Sequence, residues 1–207
     1  MVLDATILDR LAVRDFLLGL ANDLLRPYWT QSSYYAAVRH LKRSRLRGGL
    51  GSQSAALAVM MPLSRFTGNL VATGTLRSAR KQLAVLPDDT ERGDAAACAV
   101  AVQAGTILTF RLPPVKFRNL TVEVRGGAPR TVTFELVDPY LTNLYEQMPS
   151  DEKSELLLRI TSQARLSPST QVSDSRGEVQ TLLRRLAGQG LHRFVRRLRQ
   201  EFRSRAT

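Results

Sequence analysis

Apolar residues recur at helical spacing over residues 3–25, where Ile7, Leu8, Leu11, Phe16, Leu17, Leu20, Leu24 and Leu25 share a stripe and Asp9, Arg10, Arg14, Asp15 and Asp23 fill other faces. The pattern predicts one long helix ended by Pro27. A second helix is predicted over 30–47, capped by Thr30 or Ser32, with Tyr34, Val38 and Leu41 facing inward. Residues 52–63 (SQSAALAVMMPL) are apolar nearly throughout and read as a buried helix, with Pro62 as its stop or kink. A further helix fits from about 74 onward. The acidic segment PDDTERGD (87–94) reads as an exposed loop and an internal boundary.

Beyond that boundary the period changes. AACAVAV (96–102), TILTFRL (106–112), LTVEVRG (120–126) and RTVTFELV (130–137) are short, β-branched and partly alternating, and GGAP (126–129) can turn the last two into a hairpin. Three or four antiparallel strands are expected. Pro139 closes this sheet. Helices follow at 140–147 and 148–166, then a polar linker at 167–177, then a helix over 178–204 with a break at Gly188-Gln189-Gly190. The expected fold is α+β in one domain over 1–207: a helical basic half (1–87), a small antiparallel sheet (about 95–137), and C-terminal helices (139–207) ending in a basic one.

Charge sharpens this picture. The 207 residues carry a formal net charge of +12, from 30 Lys and Arg against 18 Asp and Glu, and 26 of the bases are Arg. Residues 1–50 carry +4, 51–87 another +4, 88–150 carry −2 and 151–207 carry +6. Residues 24–87 contain no acid and ten Lys or Arg. A surface of one sign suits a polyanion, and Arg in particular forks onto phosphate oxygens.

Two segments concentrate the positive charge. Arg39, Lys42, Arg43, Arg45 and Arg47 fall within nine residues, and so many charges cannot all be buried. Their aromatic neighbours are Tyr28, Trp29, Tyr34 and Tyr35, of which Trp29 and Tyr35 are the candidates for stacking on unpaired bases. Gly48–Ser52 could add backbone donors to a phosphate. In the tail, Leu191, Phe194, Val195, Leu198 and Phe202 form one apolar stripe, and Arg193, Arg196, Arg197 and Arg199 occupy other faces.

Catalytic signatures are missing. GxSxG and GxGxxG do not occur, and two His and one Cys are too few for the usual zinc sites. Glu123, Glu135 and Asp138 could form a metal-dependent nuclease site only if they converged, and strand alternation turns Glu123 and Glu135 toward solvent. No cofactor or metal is expected. One cysteine, Cys98, allows no internal disulfide and fits a reducing compartment. The opening MVLDATILDR is not a secretory signal, and the longest apolar runs, 55–63 and 95–102, fall short of the roughly 20 residues of a membrane helix. The expectation is a soluble intracellular protein of cytoplasm, nucleus or virus particle, with a composition like that of many viral and phage structural or regulatory proteins.

The expected function is non-catalytic binding of RNA or DNA through the phosphate backbone, with 39–47 and 193–199 as contact strips lying on one side of the molecule. With six to ten phosphates engaged, affinity would fall about 10³–10⁵-fold between 50 and 200 mM salt. The alternative is a matrix or scaffold protein whose 191–202 stripe binds an anionic membrane, a second copy or another protein.

Overall fold

The computed structural model describes residues 1–21, 24–45, 52–124, 127–165 and 175–204. The predicted helix over 3–25 does not form as one piece. Val2 and Leu3 make a strand, β1 (Val2–Leu3), and Asp4 then turns the chain by accepting from the Thr6 N–H at 2.9 Å, capping α1 (Ala5–Leu8). A second start gives α2 (Leu11–Gly19). Pro27 leads into β2 (Trp29–Thr30), and Thr30 Oγ1 caps α3 (Gln31–Arg45) by accepting from the Ser33 N–H at 3.0 Å. The helices α4 (Ser52–Leu63) and α5 (Thr73–Arg80) flank a 3₁₀ segment, Ser64–Asn69, and β3 (Leu70–Val71).

The acidic segment expected as a loop is largely the start of a helix. Asp89 accepts from the Glu91 N–H at 2.9 Å and caps α6 (Thr90–Ala101). The run AACAVAV, expected as a strand, lies mostly within this helix, and Ala95 through Val100 are all buried. A helix covered on every side has no amphipathic period to reveal it. Cys98 is buried in it, and desolvation pushes its thiol up to about 12.

The strands that follow are β4 (Thr106–Thr109), β5 (Asn119–Val122) and β6 (Arg130–Leu136), and the order in the sheet is β1-β4-β6-β5. The sheet is mixed rather than antiparallel: β1 and β6 both run parallel to β4, and only the β5–β6 pair is antiparallel. Alternation places its residues on two sides. Leu3 and Leu108 enter one hydrophobic cluster, with Phe16, Tyr145 and Phe194, while Val2 and Ile107 enter another, with Ala95–Val100, Phe117 and Phe134. Parallel pairs are usually covered on both faces in this way. Neither edge is open. Tyr28 exchanges hydrogen bonds with Met1 and Leu3 beside β1, and Gln82 and Ala84 bond Glu123 and Thr121 beside β5.

The C-terminal helices are α7 (Val137–Gln147), α8 (Ser150–Arg165), α9 (Ser175–Gly188) and α10 (His192–Ser204). The break at 188–190 occurs where expected, and Gly190 sits there at φ +106°. Most of the 167–177 linker lies outside the described residues. The fold is α+β. Among the described residues no helix is long and apolar enough to cross a membrane.

Candidate nucleic-acid interface

On α3, Ala37, Val38 and Leu41 face the core, which turns Tyr35, Arg39 and Arg43 outward at i, i+4 and i+8. Four residues of helix rise about 6 Å, so this face presents a ring and two guanidinium groups in a line of regular spacing. Tyr35 is 51 % exposed, and its hydroxyl accepts from Gln31 Nε2 at 3.3 Å. Tyr34 lies edge-on to it, with ring centroids 5.3 Å apart, and packs partly on the core. The rotation of the helix is held by His40, whose Nδ1 lies 3.1 Å from Asp9 Oδ2. Burial raises the Asp9 carboxyl, and the adjacent His40 pulls it back. Lys42 is half-buried. Among the described residues none of Arg39, Lys42 and Arg43 makes an ion pair. The side chain of Arg45, and all of Arg47 and Gly48–Gly51, lie outside the described residues, as does the side chain of Ser52.

Trp29 is not a stacking residue. It is 2 % exposed, belongs to the core, and its strand pairs with Leu70 of β3. A ring closed off on all sides has no face to offer a base. Of the two aromatic candidates only Tyr35 reaches solvent.

The second strip lies on α10. Leu191, Phe194, Val195 and Leu198 are at most 1 % exposed and Phe202 is half-buried beside them, so the apolar stripe packs into this chain's own core. Arg193, Arg196 and Arg197 are exposed. Arg199 follows Val195 by one turn, at the flank of the buried stripe; it is half-buried, and its Nε is buried with no hydrogen-bond partner among the described residues. The helix start is already occupied. Asp138 on α7 accepts from the N–H groups of Arg193 at 3.0 Å and Phe194 at 2.9 Å. Glu146, also on α7, comes within 3.8 Å of Arg197, so one of the three exposed cations is partly neutralised. Arg193 and Arg196 make no ion pair among the described residues. The two strips have different supports, α3 packing on α1, α4 and α6 and α10 on α7 and α9.

The three carboxylates that a nuclease site would need do not gather into a metal-binding group. Both Asp138 oxygens bond α10, Glu135 accepts from Thr106 Oγ1 at 3.2 Å, and Glu123 is exposed. Among the described residues no group of three or more His, Cys, Asp or Glu could hold a metal ion.

Two features escaped the sequence. Arg14, assigned to an outer face of a helix, is 1 % exposed; it grips Asp15 Oδ1 through Nε at 2.8 Å and Nη2 at 2.6 Å, and donates to the Ala58 carbonyl at 2.8 Å. Asp4 and Glu91 meet at the start of α1, where Glu91 Oε1 accepts from the Ala5 N–H at 3.1 Å. Burial pushes Asp4 up to about 6, and burial together with the Asp4 charge pushes Glu91 up to about 7. No local pattern announces either contact, since each joins residues distant in the chain or hides a charge.

No protein-family model, curated protein or solved structure matches this chain.

Proposed function

We propose that the protein is a non-catalytic nucleic-acid-binding protein that holds single-stranded RNA or DNA by its phosphates. The observation that carries this reading is the strip Tyr35, Arg39 and Arg43 on the solvent face of α3, set in a 64-residue stretch without one acid. Guanidinium groups neutralise phosphates and displace counterions, and the exposed phenol beside them suits stacking on an unpaired base, which favours single strands over duplex. Arg193 and Arg196 on α10 supply a second strip.

The available cations set the expected salt response. Arg39, Lys42, Arg43, Arg193 and Arg196 amount to five phosphate contacts, which corresponds to a loss of about 10²–10³ in affinity between 50 and 200 mM salt. Fluorescence anisotropy with a labelled single-stranded oligonucleotide, titrated across that range, tests it. A curve that does not move with salt removes the reading.

A further inference from the structure

The helix α4 carries two apolar stripes, and only one of them is buried. Successive residues turn by about 100°. Val59 and Leu63 are buried, and Ala56 packs beside them on the core. Leu57, Met60 and Met61, at i, i+3 and i+4, form a second stripe about 120° round the helix from the first and are 44, 47 and 66 % exposed. The chain continues through the 3₁₀ segment that packs on α4 into β3, where Leu70 is 47 % exposed. A helix apolar all round is ordinarily buried all round, and an exposed cluster of this kind marks a surface that meets something.

We infer that this face docks on an anionic lipid bilayer, with Leu57, Met60 and Met61 dipping into the boundary between headgroups and acyl chains. Charge complementarity selects this occupant. Arg65 is exposed one turn beyond Met61, and α3, which carries the exposed Arg39 and Arg43, packs on α4. The carboxylate tied to this helix, Asp15, is held by Arg14, whose guanidinium also bonds the Ala58 carbonyl. A second copy meeting this face would set the exposed Arg39, Arg43 and Arg65 of one copy against those of the other. A base would find no ring among these three side chains. Flexible apolar side chains rimmed by Arg are what interfacial helices present to anionic lipid. This surface is separate from the buried stripe of α10 and does not depend on nucleic-acid binding.

The test is flotation of the full chain with vesicles of phosphatidylcholine alone and of phosphatidylcholine with phosphatidylserine. The wild-type chain should float only with the anionic vesicles. The double variant Met60→Asp/Met61→Asp should bind them at least about tenfold less well, while Leu158→Asp, at an equally exposed leucine of α8 that is 70 % exposed, should float as wild type. Oligonucleotide binding by the double variant should be unchanged. A Met61→Cys variant gives a second readout that does not add a charge, because Cys98 is buried and only the new thiol will take an environment-sensitive dye. Its emission should shift to the blue on anionic vesicles. The inference fails if wild type stays in the dense fraction, if the double variant floats equally well, or if the dye does not respond. It fails too if light scattering finds a dimer that the double variant dissociates, or if that variant loses the oligonucleotide, since either result gives the face to another occupant.

Discussion

Gln189 caps a helix at the opposite end of the chain: its Oε1 lies 2.9 Å from the N of Ala12 and 3.3 Å from that of Val13, in the first turn of α2. Arg10, at the N-cap position, has no side-chain bond to offer there. It instead donates from Nη1 to the Gln189 carbonyl at 2.6 Å and lies over the Phe110 ring at 4.0 Å. The loop between α9 and α10 is thereby fixed to the N-terminal helices. Gln189→Ala should cost about 0.5–2 kcal/mol, as loss of a cap does, and lower the melting temperature by about 2–4 °C per kcal/mol. Gln189→Glu keeps the acceptor and should stay close to wild type. An alanine variant as stable as the parent in denaturant titration would mean water replaces this cap at no cost.

One residue further on, Gly190 has φ +106°, and a Cβ there would stand 2.9 Å from Phe110 Cε1. Both the backbone and the ring oppose a side chain. Gly190→Ala should therefore destabilise the protein by about 1–3 kcal/mol, whereas Gly188→Ala, with nothing within 4 Å of its Cβ position, should not. Equal thermal stability of the two variants would contradict the argument.

The carboxyls of Asp4 and Glu91 give stability a pH dependence of definite sign. Both titrate higher in the folded chain than in the unfolded one, so the folded state binds more protons between about pH 4 and 7. Their contribution is present in full below the unfolded values and is lost as pH rises to about 7. Burial first, then the Asp4 and Asp89 charges, hold Glu91 up, and the Ala5 N–H and Arg92 act against them. Glu91→Gln keeps an acceptor for Ala5 and removes the charge. It should gain about 2–3 kcal/mol over wild type at pH 8 and little at pH 4. Urea melts at the two values check this; a gain at pH 4 as large as at pH 8 would refute it.

What the sequence showed follows from which forces are local. The inward stripes of α3 and α10, the Thr30 cap and the break at 188–190 depend on neighbours in the chain and were legible. The helix α6 was not, because Ala95 to Val100 are covered on all sides and leave no polar phase to read. Its cap is local, since Asp89 followed by Glu91 is a helix start, but a cluster of acids fits an exposed loop equally well. That Leu3 is strand rather than helix depends on its pairing with Leu108, a partner over a hundred residues away. Arg14 is misplaced for a related reason, since charge alone suggests solvent and only the packed neighbours decide otherwise.

Trp29 and Tyr35 separate structural from functional aromatics. Trp29→Ala empties a core position and should cost about 3–5 kcal/mol. Tyr35→Ala changes an exposed ring and should leave stability within about 0.5 kcal/mol, yet weaken single-stranded oligonucleotide binding by about tenfold if the ring stacks on a base. A Tyr35→Ala variant that binds as wild type would restrict recognition to the phosphates.

Arg39→Glu/Arg43→Glu addresses the charge itself. Neither side chain has an ion-pair partner among the described residues, and both are exposed, so reversing them should leave the fold intact by circular dichroism. Removing two phosphate contacts and adding two repulsions should lower oligonucleotide affinity by at least about tenfold at 50 mM salt, and reduce the slope of log affinity against log salt by about 1.5. Arg193→Glu/Arg196→Glu on α10 makes the companion pair. If both strips touch one strand, each pair lowers the slope and the combined variant loses nearly all of it. If only the α3 pair changes the slope, binding resides on α3 and the Arg face of α10 is a solvated surface. If the α3 pair leaves both slope and affinity unchanged, the strip of Tyr35, Arg39 and Arg43 is not where nucleic acid binds.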